Sequence, residues 1–113
     1  VIEQEGLLEN ATRVGRQLLS NLRELAEESR LIGDVRGMGL MIGVELVLDK
    51  EARTKAAHEA NQVVQECFKR GLLLLPCGPN NVRFSPPLTI TEGQASTAFQ
   101  IFADALVQVE HQA

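Results

Sequence analysis

Leu7, Ala11, Val14, Leu18, Leu22 and Leu25 recur at steps of four, three, four, four and three residues. That spacing places all six on one face of an α-helix, while Arg13, Arg16, Glu24 and Glu27 fall outside the row. A stripe of this kind must be buried against another element, so the chain has to build a packed core around its opening segment. The spacing predicts a first helix of about twenty residues ending near Ser29, with Gly6 marking a break or kink just before it. Ahead of it, residues 1–5 lack a methionine and read as a helix already under way, as expected of a piece of a longer chain.

The apolar period then changes. Leu40, Ile42, Val44 and Leu46 alternate with Met41, Gly43, Glu45 and Val47, which predicts a strand with one buried face. Residues 31–36 form a shorter candidate strand, and Gly37-Met38-Gly39 supplies the dihedral freedom of a tight turn between the two. A second helix is expected over residues 51–70, with Ala56, Ala60, Val63 and Cys67 on one face. Lys69 and Arg70 oppose the negative end of its dipole, and Gly71 follows as the C′ residue. Residues 72–75 read as a short strand stopped by Pro76, and residues 76–81 as a loop. Val82-Arg83-Phe84 is a very short strand closed by Ser85-Pro86-Pro87. Thr91 and Gln94 have the spacing of a capping box. The helix it starts carries Ala95, Ala98, Phe99, Phe102, Leu106 and Val109 as its apolar face. This order implies an α+β two-layer sandwich, a small, mainly antiparallel sheet with helices on one face. Met41 and Val47 fall on the other face, which needs a cover such as a separate domain.

Length and charge narrow the function classes. At 113 residues the chain is one domain. Its net charge is −4, its basic residues are scattered, and it has no Trp or Tyr to stack on bases, which argues against a nucleic-acid partner. The longest apolar run, residues 72–76, is too short to span a bilayer, so no membrane partner is expected. Cys67 and Cys77 without a signal peptide fit reduced thiols and a cytoplasmic location. His58 and His111 have no HxxH, CxxC or carboxylate-rich context, so no metal is expected. Cys67 reads as a small buried hydrophobe, and Cys77 has no histidine near it in sequence to act as a base. The glycines at 37, 39 and 43 do not fit GxGxxG, because the third is one residue late and a strand rather than a helix follows.

Arg83 is the residue with a functional look. A very short strand between a Gly/Pro/Asn loop and a double proline can hold a guanidinium in one direction. A fixed arginine beside a cleft suits the gripping of a carboxylate through two parallel hydrogen bonds. The competing reading, an arginine in an internal ion pair, stays open on pattern alone.

Three ordered segments go further. VRGMGLMIGVEL at residues 35–46, RGLLLLPCG at 70–78 and NVRFSPPLTI at 81–90 resemble the hairpin, strand-loop and final strand of class III, ω-amino-acid type, aminotransferases. EGLLENA at residues 5–11 is similar to the family's helix at the same place, so the resemblance covers essentially the whole chain. By wording it is nearest to the 4-aminobutyrate aminotransferase-like enzymes, and it corresponds to their C-terminal small domain. The resemblance implies a fold-type I enzyme, usually a dimer, whose large domain binds pyridoxal 5'-phosphate through an aldimine lysine. Lys50, Lys55 and Lys69 do not resemble that lysine, so no catalytic or cofactor-binding residue is expected in this chain, and alone it should be inactive. Arg83 matches the family arginine that binds the α-carboxylate of glutamate or 2-oxoglutarate in a ping-pong transamination between an amino donor and a keto acid. Arg36 also recurs in the family pattern and is read as structural. The loop at residues 78–81 is slightly shorter than in some members, which leaves the acceptor open. The alternatives are a stand-alone α+β module binding small acids at residues 76–81, or an oligomerisation domain.

Overall fold

The apolar stripe nucleates the core that its spacing demands. A computed structural model describes residues 2–38, 41–86 and 89–112 of the protein. Helix α1 spans Ile2–Glu28, with Ala11, Val14, Leu18 and Leu22 buried and Leu7 and Leu25 half-buried at the ends of the row. It runs unbroken through Gly6, contrary to the expected kink. A glycine inside a helix costs only about 1 kcal/mol against alanine, which a long amphipathic helix absorbs.

Ile32–Met38 (β1) and Met41–Asp49 (β2) form the expected antiparallel pair. Of the turn expected at residues 37–39, Gly37 and Met38 belong to β1, paired with Ile42 and Met41, and Gly39 lies outside the described residues. Thr54–Lys55 (β3), Ala57–Lys69 (α2), Leu75–Pro76 (β4), Asn81–Phe84 (β5) and Glu92–Gln112 (α3) follow. The sheet is antiparallel throughout, in the order β1-β2-β5-β4, with β3 paired to the far end of β2. The fold is the α+β arrangement expected, three helices on a small antiparallel sheet.

Two elements differ from their sequence reading. Helix α2 starts at Ala57 rather than near residue 51. Asp49 accepts hydrogen bonds from Glu51 N at its side chain (2.9 Å) and from Arg53 N at its carbonyl (2.7 Å), and this local turn outcompetes the helix. Arg53 then sits at φ 55°, and the chain enters β3. The four leucines at residues 72–75 do not make a strand of their own; only Leu75–Pro76 pairs with β5. Pro76 is tolerated inside the strand because β4 is the sheet edge, where a missing N–H breaks no ladder.

One sheet face is sealed. Ile42, Val44 and Leu46 of β2, Val82 and Phe84 of β5 and Ile32 and Val35 of β1 point into a core shared with Leu18, Leu22, Val63, Cys67, Phe102 and Leu106. Helices α1 and α2 pack on the sheet, and α3 packs on both. The Phe102 ring of α3 meets Phe84 edge-on, with centroids 5.2 Å apart. Hydrogen bonds fix several helix ends. Thr91 and Gln94 exchange two 3.0 Å hydrogen bonds as a capping box. Gly71, at φ 93°, closes α2 in a Schellman motif, with Leu72 N donating to Cys67 O (2.8 Å) and Gly71 N to Phe68 O (3.1 Å). Ser29 and Arg30 both bond Glu110, tying the end of α1 to the end of α3.

The opposite face is open and largely polar. Met41 is exposed on it, as expected, but Val47 is fully buried. The reason is Gly33, which lets the Val47 methyls lie so close that a Cβ at Gly33 would meet Cγ1 at 2.8 Å. Among the described residues no helix is long and apolar enough to cross a membrane.

Candidate functional site

Directly opposed residues of antiparallel strands share a face, so the strand register determines which residues meet on the open surface. Arg36 of β1 stands opposite Gly43 of β2, Gly43 opposite Arg83 of β5, and Arg83 opposite Leu75 of β4. The four form one row across the whole sheet. The adjacent row is Asp34, Glu45 and Asn81. A depression of about 230 Å³ lies over this face, lined by Asp34, Arg36, Gly43, Glu45 and Asn81.

Arg83 is held from both sides. Its neighbours Val82 and Phe84 are pegged into the core, 0% and 3% exposed. Asn80, the residue just before β5, is buried and locked to β2. Its carbonyl accepts from Leu46 N (2.7 Å), and its side-chain Nδ2 donates to Leu46 O (2.9 Å). Cys77 N donates to Asn81 O (2.9 Å), closing the loop over residues 77–81. The backbone under Arg83 therefore has no freedom to rotate it off the open face.

The charges on this face are unevenly matched. Asp34 accepts from Arg36 Nε at 2.5 Å, and this bond and its charge raise the Arg36 pKa. Glu45 is paired with Arg53. Arg83 has no ion pair among the described residues. Its Nε is buried and without a hydrogen-bond partner. A buried donor left unsatisfied costs about 1–3 kcal/mol, so this strand carries a penalty. The internal ion pair that the sequence left open is not formed within the described residues.

The other candidates stay quiet. His58 and His111 are exposed on α2 and α3, and no group of three potential metal ligands gathers among the described residues. Burial pushes the Cys67 thiol up to about 12, while Cys77 is exposed in its loop. Lys50 donates to Ala26 O (2.6 Å), Lys69 pairs with Glu66, and Lys55 lies exposed on β3. None of the three belongs to the row of Arg83. A depression of about 650 Å³ runs along the outer side of α1 between Leu8 and Ser20. It gathers residues of one helix only, with no polar group converging from a second element. Sequence reading singled out Arg83 but not Asp34, Glu45 or Asn81. Their juxtaposition depends on strand register, which no local motif encodes.

The profile of the family described as Aminotransferase class-III matches residues 1–106. The chain belongs to the class III aminotransferase family. This class III chain is 39% identical over 109 residues to the leucine/methionine racemase of Thermococcus litoralis, covering 96% of the chain and 25% of that protein. It is 38% identical over 106 residues to the 5-aminovalerate aminotransferase DavT of Pseudomonas aeruginosa, covering 92% and 25%. Among solved structures, an amine transaminase from an uncultivated Pseudomonas species, in its PLP-bound internal aldimine form, superposes with a TM-score of 0.85 at 37% identity, covering 95% of the chain and 24% of the other. The class III chain thus spans about a quarter of the length of the relatives it matches.

Proposed function

We propose that residues 1–113 are the C-terminal small domain of a pyridoxal 5'-phosphate-dependent transaminase, and that Arg83 grips the carboxylate of its acid substrates. The observation that carries this reading is the buried, unpartnered Nε of Arg83 on the open sheet face of a class III chain. A guanidinium fixed by Asn80 and the two core pegs presents a planar fork that matches a carboxylate. Its task is positioning, holding the acid end so that the reacting carbon meets the cofactor. The cofactor supplies the electron sink when bound, and its lysine and phosphate contacts belong to the large domain outside this chain. The own large domain is the partner of the open face, and the full-length protein is a cytoplasmic homodimer acting on amino and keto acids. Its amino donor is an ω-amino acid or similar amine, in the manner of the 4-aminobutyrate aminotransferase-like enzymes, and its acceptor 2-oxoglutarate or another keto acid.

The test is Arg83→Ala in the full-length protein, with both half-reactions followed by stopped flow beside a melting curve. Removing one member of a desolvated bidentate pair costs about 2–5 kcal/mol, hence roughly 30- to several-thousand-fold in kcat/KM for glutamate and 2-oxoglutarate. Arg83→Lys recovers part of it, since an ammonium lacks the planar fork. An amine donor without a carboxylate is much less affected in its own half-reaction. Equal losses for acidic and non-acidic substrates, with a large drop in melting temperature, would make Arg83 a structural residue. One relative, 39% identical over 109 residues, is a racemase, so a full-length protein that racemises an amino acid without consuming a keto acid would replace transamination with that reaction.

A further inference from the structure

Two residues turn an α-helix by about 200°, so a row displaced by two positions from the buried row of α1 lies on its far side. Glu9, Arg13, Arg16, Ser20, Glu24 and Glu27 are that row, and all six are exposed. Its charges are segregated about Ser20. Arg13 and Arg16 lie seven and four residues before it, and Glu27 and Glu24 seven and four residues after it. Arg13 also pairs with Glu92, whereas Arg16, Glu24 and Glu27 have no ion pair among the described residues. Arg23, at the edge of the row, forms none with its acidic neighbours either.

This order of charges runs against the helix dipole. Carboxylates are unfavourable at the C-terminal end of a helix, where the dipole is negative and cations belong. The last two turns of α1 nevertheless hold Glu24, Glu27 and Glu28, and the final turn has no basic residue. Lys50 reaches that end, but it donates to the Ala26 carbonyl rather than to a carboxylate. A second α1 laid antiparallel supplies the missing cations. The two-fold symmetry that brings Ser20 onto Ser20 sets Arg13 and Arg16 of each copy against Glu24 and Glu27 of the other. A parallel, in-register pair would set like charges together instead. Ser20 is small, which lets the two axes approach to about 8–10 Å. The depression along this side of α1 is lined by that helix alone, which suits a second helix better than a small molecule.

We propose that the outer face of α1 is an interface between two copies of the protein, paired antiparallel about a two-fold axis at Ser20. The overlap runs from residue 12 to residue 28, about 25 Å of helix, and buries less than a standard interface of roughly 1,200–2,000 Å². The contact is therefore transient and weakened by salt, and it adds to any interface made by the rest of the full-length protein. It does not depend on the role of Arg83.

The experiment is disulfide trapping in the full-length protein, comparing Ser20→Cys with Glu9→Cys under mild oxidation on a non-reducing gel. Ser20→Cys links into a covalent dimer about ten-fold faster or more, because the antiparallel register holds the two copies of residue 9 about 33 Å apart. In the Ser20→Cys background, Glu24→Arg with Glu27→Arg slows trapping about ten-fold. Adding Arg13→Glu and Arg16→Glu restores complementarity and returns the rate to within about three-fold of its parent. All of these positions are exposed, so no core packing is disturbed. Equal trapping at residues 20 and 9 overturns the antiparallel register. Unchanged trapping after charge reversal, or no recovery after the full exchange, overturns the pairing. A Ser20→Cys thiol that maleimide cannot reach in the dilute folded protein assigns this face to the large domain, and overturns the proposal as well.

Discussion

Gly33 and Gly43 lie in the same antiparallel sheet, yet the same substitution should move stability in opposite directions. A Cβ at Gly33 would meet Val47 Cγ1 at 2.8 Å, Val47 Cγ2 at 3.0 Å and Glu45 Oε1 at 3.0 Å. Val47 is fully buried and β-branched, so its methyls cannot swing aside. Glu45 is held by Arg53. Forcing a methyl into such a contact costs about 1–3 kcal/mol, against a gain of about 0.4–1 kcal/mol from the lower entropy of the unfolded chain. Gly33→Ala is therefore expected to destabilise by about 1–2 kcal/mol. At Gly43 the clash is absent, and Gly43→Ala should stabilise by about 0.4–1 kcal/mol. The assay is equilibrium urea unfolding of the 113-residue chain and both variants by circular dichroism, comparing midpoints at unchanged slope. A Gly33→Ala chain as stable as its parent, or a Gly43→Ala chain less stable than Gly33→Ala, would refute the packing argument.

Phe102→Ala should cost about 3–5 kcal/mol, since the ring is fully buried and stacked edge-on against Phe84, and thermal unfolding reads this directly. Thr91→Ala removes the acceptor for Gln94 N and should cost about 1 kcal/mol, with faster amide exchange confined to the first turn of α3. Cys67, whose thiol burial pushes up to about 12, remains protonated and unreactive toward iodoacetamide at pH 8, while exposed Cys77 is alkylated. Peptide mass spectrometry separates the two, and native-state labelling of Cys67 at a rate matching Cys77 would contradict the burial.

The parts of the fold legible in the sequence are those set by local rules. The row from Leu7 to Leu25, the alternation around Ile42, Val44 and Leu46, and the Thr91–Gln94 cap each depend on residues within a few positions of one another, and each formed as read. The errors arose where two local rules competed. An alanine-rich stretch favoured helix back to residue 51, but the Asp49 side chain captured the backbone first. Four leucines looked like a strand, but their partner β5 has only four residues, so pairing stops at Leu75 and Pro76. Arg83 was visible because prolines and asparagines bracket it. Its setting was not, because Gly43 and Arg36 reach it only through a register fixed by long-range pairing. The burial of Val47 was invisible for the same reason, since it depends on the missing side chain of Gly33.

The anchors around Asn80 have a consequence for how such a protein can diversify. The exposed stretch from Cys77 to Pro79 is pinned at one end by the Cys77 to Asn81 hydrogen bond and insulated from the strand by the buried Asn80 contacts with Leu46. Insertions or deletions there change the shape of the rim without passing any displacement on to Arg83, since loops tolerate length changes at small entropic cost. Mutation can thus explore new rims around a stationary cation.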